Sequence, residues 1–238
     1  MIELLHQIEQ IDTQIFLFFN GFHNVYWDYF MMIFSDRFVW VPFYASFIFV
    51  LLKNFPVKVV MSTIVVITLI ILFSDQTASG ILKPLVARMR PSNPDNPISP
   101  MVHVVQGYRG GRYGFPSSHA ANAWSMAFFA QYLVRRSKLT IFLCLWALIT
   151  SYSRMYLGVH YFGDILIGTL IGFLYATLYY YIFQYFLRKH TERFKPNHDI
   201  RFASVPIITG LVSIWVIICT SGILSFLSLI HISEPTRH

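Results

Sequence analysis

Six residues in this sequence have types and spacings that could do chemistry together: Lys83, Arg90, His119, Arg154, His160 and Asp164. Three cations, two imidazoles and one carboxylate, with no neighbouring Cys or Glu cluster, make a poor metal site and a good anion site. A transferring phosphoryl group spreads negative charge over its equatorial oxygens, and Arg or Lys aimed at them stabilises it. The planar guanidinium fork suits those oxygens. His160 and Asp164 stand four apart, so on one helical face the carboxylate reaches one imidazole nitrogen and leaves the other free to attack. The Ser-His-Asp triad orients its histidine in the same way, but here the imidazole itself would take the phosphoryl group. His119 follows Pro116, Ser117 and Ser118 at the start of an apolar run, where free backbone N–H groups and the helix dipole favour an anion. It can protonate a leaving oxygen and later draw a proton from attacking water.

Each residue also has a plainer reading. A lone histidine near a helix end is usually structural, and Lys or Arg at the end of an apolar run usually snorkels to an interface. An HxxxD pair could be half of a metal site, but two further neutral ligands are absent and the nearby arginines would repel a cation. The joint spacing decides for anion chemistry, with neither metal nor cofactor expected.

The elements that must position these residues follow from composition. Of 238 residues, 55% are hydrophobic and only 12% charged, which points to lipid as the solvent. Apolar runs at 38–52, 59–74 (continuing as helix to about 82), 118–134, 139–155, 161–187 and 203–226 approach the ~20 residues that cross a bilayer. Backbone polar groups in lipid must pair within the segment, so the runs predict helices. The expected fold is all-α, a polytopic membrane bundle of about six transmembrane helices. Leu4, Ile8, Ile11, Ile15 and Phe18 recur at spacings of three and four, predicting an N-terminal amphipathic helix on the membrane surface, with a first span cut short by Asp12 and Gln14 as the alternative. Glu3 and Glu9 leave no basic segment of the kind that opens a cleavable signal peptide.

The formal charge of +7 sits in short basic clusters between apolar runs, which speaks for membrane topology and against nucleic acid. Lys53 and Lys58, then Arg135, Arg136 and Lys138, then Arg188, Lys189, Arg193, Lys195 and Arg201 fall on one side, and the positive-inside rule makes that side cytoplasmic. A polar insertion from about Arg88 to Phe115 opens on the other side, at a length that is usually functional or disordered. Cys144 and Cys219 lie in apolar stretches as small hydrophobes. Residues 1–226 are expected to form one membrane domain, and 227–238 to be a non-native tail.

Three motifs carry a resemblance. Lys83 to Pro91 fits K-x6-RP, Pro116 to His119 fits PSGH with serine for glycine at Ser118, and Ser153 to Asp164 fits SR-x5-H-x3-D. In these residues the chain resembles the type 2 phosphatidic acid phosphatase superfamily. The resemblance implies metal-independent hydrolysis of a lipid phosphate or diphosphate, with His160 as nucleophile, Asp164 as its partner and His119 as the acid. Lys83, Arg90, Ser117, Ser118 and Arg154 would form the phosphate cradle. It also implies a bacterial inner-membrane protein whose site faces the periplasm or exterior and whose partners are substrate and membrane lipid. Small bacterial members of this N-terminal style look like undecaprenyl-diphosphatases; phosphatidate, phosphatidylglycerophosphate and lipid A phosphatases are the alternatives. A transporter or scaffold that kept the fold and lost the chemistry is the rival of another class. The soluble vanadium haloperoxidases, which share the cradle, do not fit the apolar runs.

Overall fold

The computed structural model describes residues 2–190 and 200–233. Arg193 and Lys195 of the expected basic connection, and 234–238 of the expected tail, lie outside the described residues. The elements are helical: α1 (Ile2–Asn20), α2 (Val25–Phe34), α3 (Val41–Asn54), α4 (Val57–Asp75), α5 (Lys83–Val86), α6 (Ser118–Val134), α7 (Ser137–Tyr156), α8 (Phe162–His190) and α9 (Val205–Ser233). All six apolar runs are therefore helices in an all-α bundle.

Among the described residues, four helical stretches are long and apolar enough to cross a membrane: Val57–Val86, Ser137–Tyr156, Phe162–Leu187 and Val205–Ile230. A fifth exists only if α2 and the Arg37–Asn54 segment, bent by 62°, count as one broken span. The expected six is thus four or five by this measure. The shortfall lies in α6, whose 17 residues rise about 26 Å at 1.5 Å each, short of a ~30 Å hydrocarbon layer. Protein rather than lipid surrounds much of α6, and Ala120, Ala121, Ala123, Ala127 and Ala130 are all buried.

Small residues let α6 and α8 approach closely. A Cβ on Gly172 would meet the Ala121 carbonyl oxygen at 2.5 Å, and one on Gly168 would collide with the Ser117 carbonyl. This Gly-x3-Gly spacing brings the start of α8, with Asp164, against the start of α6. Ser117 N–H donates to the Asp164 carbonyl at 2.9 Å, closing the contact.

Between α4 and α5 the chain makes a π-helical turn, Gln76–Leu82. Asp75, Ser79 and Lys83 lie along one line there: Lys83 Nζ donates to Ser79 Oγ at 3.0 Å, and Ser79 Oγ to Asp75 Oδ1 at 3.4 Å. Ala87, at φ 52°, stops the helix in the left-handed region.

The helix α1 docks by an unexpected face. Leu4, Leu5, Ile8, Ile11 and Phe18 are exposed, as a lipid-facing surface requires, whereas Asp12, Phe16 and Asn20 are buried against the bundle. Asn20 Nδ2 donates to the carbonyls of Met155 and Tyr156 at 3.2 and 2.9 Å, fixing α1 to the end of α7.

The basic connections meet at one end of the bundle. Asn54 exchanges two hydrogen bonds with the Arg201 backbone at 2.7 and 2.8 Å, and Arg135, Arg136 and Lys138 share a surface depression with Ile200 and Phe202. The helix ends that carry Lys83, His119, Arg154 and Asp164 lie at the other end. α9 packs on α2 and α3, with Ser46 Oγ and Thr209 Oγ1 at 2.8 Å, and supplies none of those residues.

Candidate active site

His160 occupies the short connection between α7 and α8 and is 1% exposed. Its Nδ1 lies 3.3 Å from Asp164 Oδ2, and its Nε2 lies 3.2 Å from Arg90 Nη1. A guanidinium only donates, so Nε2 must accept and Nδ1 must carry the proton toward the carboxylate. The tautomer is thereby set, with the Nε2 lone pair on the side of Arg90. Burial, followed by the charges of Arg90, Arg154 and Lys83, holds the His160 pKa well below the ordinary histidine value.

Asp164, fully buried, accepts from Tyr161 N at 3.0 Å through Oδ2 and from Arg88 Nη1 at 3.1 Å through Oδ1. Every oxygen of the carboxylate is therefore held, as a buried charge requires. Arg90 spends Nη1 on the Val159 carbonyl at 3.0 Å as well as on His160, and its backbone N–H reaches Arg112 O at 3.2 Å. Arg154, 3% exposed, donates through Nη2 to Tyr108 OH at 3.0 Å and through Nη1 to Ser35 Oγ. The Nε atoms of both Arg90 and Arg154 are buried without a hydrogen-bond partner. An oxyanion seated between the two guanidinium groups would satisfy both.

Lys83 Nζ reaches Ser118 Oγ at 3.5 Å, so the serine in the glycine position of the motif sits beside a cradle cation. Ser117 caps α6, its Oγ accepting from Ala120 N at 3.3 Å, which leaves the hydroxyl proton as its only side-chain donor. His119 is exposed toward a cavity of about 500 Å³ between α3, α4, α6 and α7, which Ser118, Asp75 and Arg37 also line. Most of the rest of its wall is apolar, including Trp40, Phe47, Ile64, Ile67, Met126 and Trp146. His119 feels the charges of Arg154, His160, Lys83 and Arg90, so the two histidines share one electrostatic field.

All eight residues singled out in the sequence converge at this end of the bundle. The residues that hold them were not all foreseen: Arg88, Tyr108 and Ser35 each contact a site side chain, and Asp12 holds Arg88 from behind. Arg88 was hidden among the variable positions of K-x6-RP, and Asp12 read only as a residue that cuts short a possible first span. Among the described residues no group of three His, Cys, Asp or Glu side chains is placed to hold a metal ion.

A helical membrane bundle that buries a carboxylate-oriented histidine among three cations beside an apolar cavity defines a class: membrane enzymes of phosphoryl transfer. The PAP2 superfamily model matches residues 60–188, and the chain belongs to that superfamily. It is 45% identical over 221 residues to the lipid A 4'-phosphatase of Bacteroides thetaiotaomicron, covering 90% of this chain and 95% of that one. With the lipid A 4'-phosphatase of Porphyromonas gingivalis the identity is 33% over 182 residues, 76% of each chain. The crystal structure of Aquifex aeolicus LpxE matches with a TM-score of 0.54 at 22% identity, over 71% of this chain and 94% of that one, a likeness of fold. The protein is a lipid phosphatase, a hydrolase of phosphoric esters. Those two relatives are named for lipid A, whereas the substrate first expected from the sequence is undecaprenyl diphosphate; nothing in the motifs separates the two, because they read phosphate and not the lipid.

Proposed function

We propose that this protein removes a phosphate from lipid A or a closely similar phosphorylated glycolipid, through a phosphohistidine on His160. The observation that carries the chemistry is His160 itself, buried, held neutral and fixed between Asp164 and Arg90. The likeness to two lipid A 4'-phosphatases supports the substrate.

In the first step His160 Nε2 attacks phosphorus and the bond from phosphorus to the sugar oxygen breaks. His119 gives that oxygen a proton, while Asp164 balances the charge gained by the imidazole. Lys83, Arg90 and Arg154 hold the equatorial oxygens, aided by the Ser117 and Ser118 N-terminal turn. In the second step water attacks phosphorus, the now neutral His119 takes its proton, the P–N bond breaks and inorganic phosphate leaves. The site lies at the end of the bundle opposite the basic connections. By the positive-inside rule it faces the periplasm or exterior of a bacterial inner membrane. Residues 1–226 act as one domain in this reading.

The test is a panel of lipid A, undecaprenyl diphosphate, phosphatidate and phosphatidylglycerophosphate presented to the purified protein in detergent. Lipid A is expected to lose one phosphate by mass spectrometry with the highest kcat/KM, in EDTA as without it, and the His160→Ala variant to release none. Faster release from undecaprenyl diphosphate would return the substrate to the first expectation. Full release by His160→Ala would remove the nucleophile.

A further inference from the structure

We propose that Arg88 and Asp12 are positioning residues for the phosphoryl transfer, so that the surface helix α1 sets the orientation of the catalytic carboxylate. The proposal rests on the reading of His160 and Asp164 given above.

The contacts run in one line. Asp12 Oδ2 accepts from Arg88 Nη1 at 2.7 Å, Arg88 Nη1 also donates to Asp164 Oδ1 at 3.1 Å, and Asp164 Oδ2 lies 3.3 Å from His160 Nδ1. Asp12 is 8% exposed, Asp164 and His160 essentially not at all. One guanidinium nitrogen thus bridges two buried carboxylates from elements more than a hundred residues apart in sequence.

The arrangement is more than a docking ion pair. Had α1 needed only an anchor, Asp12 could have taken the Gly163 backbone N–H, which it does through Oδ1 at 2.8 Å, without engaging Arg88. Asp12 instead holds both the first turn of α8 and the cation that pins Asp164 Oδ1. Arg88 has little freedom to leave. Its guanidinium carbon stacks 3.8 Å from the Tyr161 ring centroid, and Tyr161 OH accepts from Asn96 Nδ2 at 3.0 Å. Pinning Oδ1 leaves Oδ2 directed at His160 Nδ1–H, which keeps Nε2 as the unprotonated nitrogen. Without Arg88 the carboxylate could rotate or take up a proton, and either would release the imidazole tautomer. The charged and titratable groups around Asp164 are Arg88 and Arg90 from the segment after α5, Lys83 from α5, Asp12 from α1, and His160 and Tyr161 ahead of α8. Arg88 is the one that bonds the far carboxylate oxygen.

Leu4, Leu5, Ile8, Ile11 and Phe18 of α1 are exposed, whereas Asp12 is buried against Arg88 and the first turn of α8.

The experiment compares Arg88→Gln, Arg88→Lys, Asp12→Asn and the Arg88→Gln/Asp12→Asn double variant with the full-length protein in detergent, all matched for melting temperature and elution. Partners that orient a histidine from behind typically contribute 10–100-fold to activity at metal centres, and about that fall in kcat is expected for Arg88→Gln, with KM nearly unchanged. The acid limb of its kcat–pH profile should move to higher pH, since a cation is lost beside the carboxylate, and Arg88→Lys should recover part of the rate. Asp12→Asn should fall in the same direction, and the double variant should lose no more than Arg88→Gln alone, because the two act in series. Losses that multiply in the double variant, a fall confined to KM, or an unmoved pH profile would overturn the proposal. If Arg88→Gln does not fold, Asp12→Asn decides alone through its pH profile and kcat. His160→Ala separates the two readings: an active His160→Ala sinks the mechanism, whereas an inactive one beside a fully active Arg88→Gln sinks only the positioning role.

Discussion

The proton on His160 is settled by its neighbours, because Arg90 can only donate to Nε2 and Asp164 can only accept from Nδ1. A consequence for pH follows. The attacking form is neutral imidazole, and burial together with Arg90, Arg154 and Lys83 lowers its pKa, so that form persists as pH falls below about 6.5, the ordinary histidine value. Substrate phosphate ionises near pH ~6 and shapes the same limb. The comparison to make is therefore wild type against Arg90→Gln by kcat/KM, which reports the free enzyme. Removing the cation beside Nε2 raises the histidine contribution toward its ordinary value, so the acid limb should move to higher pH while the substrate's contribution stays. An unmoved limb would separate Arg90 from His160. The pairing of His160 with Asp164 was legible in the sequence from their i, i+4 spacing, although His160 lies in the connection just ahead of α8 and not on its helical face. The Arg88 to Asp12 contact was not, because nothing local in either segment reports the other.

At the scale of elements, the site depends on how closely α6 and α8 approach, since Ser117, Ser118 and His119 open one helix and Asp164 the first turn of the other. Gly172 tests this. A side chain there meets Ala121 O at 2.5 Å and Ser125 N at 2.9 Å, both backbone atoms that cannot turn aside. Gly172→Leu should destabilise the bundle by about 1–3 kcal/mol, the usual cost of overpacking, read as a lower melting temperature in detergent, and phosphate release should fall with it. Gly222→Leu is the control, because nothing lies within 4 Å of a Cβ at that position. Equal melting temperatures for the two variants would mean that α6 and α8 are not held by this contact. The six helical runs were readable from hydropathy, whereas the crossing ability of α6 was not: its apolar content is largely alanine, which signals burial against protein as much as lipid. Nor did the periodicity of α1 reveal which face docks, since its apolar stripe is lipid-facing and the polar Asp12 and Asn20 point inward.

Across the whole molecule, the cavity adjoins the phosphate site at Ser118 and His119 and is mostly apolar beyond, assembled from α3, α4, α6 and α7. No single run of sequence announces it, because each helix contributes only a few wall residues at intervals of three or four. An acyl chain in that space would bury methylenes worth ~0.8 kcal/mol each. Ile67→Trp or Met126→Trp would occupy volume now open between α4 and α6. Displacing two methylenes costs about 1.6 kcal/mol, more than the 1.36 kcal/mol of a tenfold change, so KM for a long-chain lipid phosphate should rise about tenfold or more. A short, water-soluble phosphate ester reaches the same His160 and Arg90 without entering the cavity, so its kcat/KM should barely change. Measuring both substrates on both variants separates tail binding from damage to the site. If the two substrates lose activity in parallel, the cavity wall is acting through the structure of α6, and the lipid tail lies elsewhere, on the membrane-facing surface of the bundle.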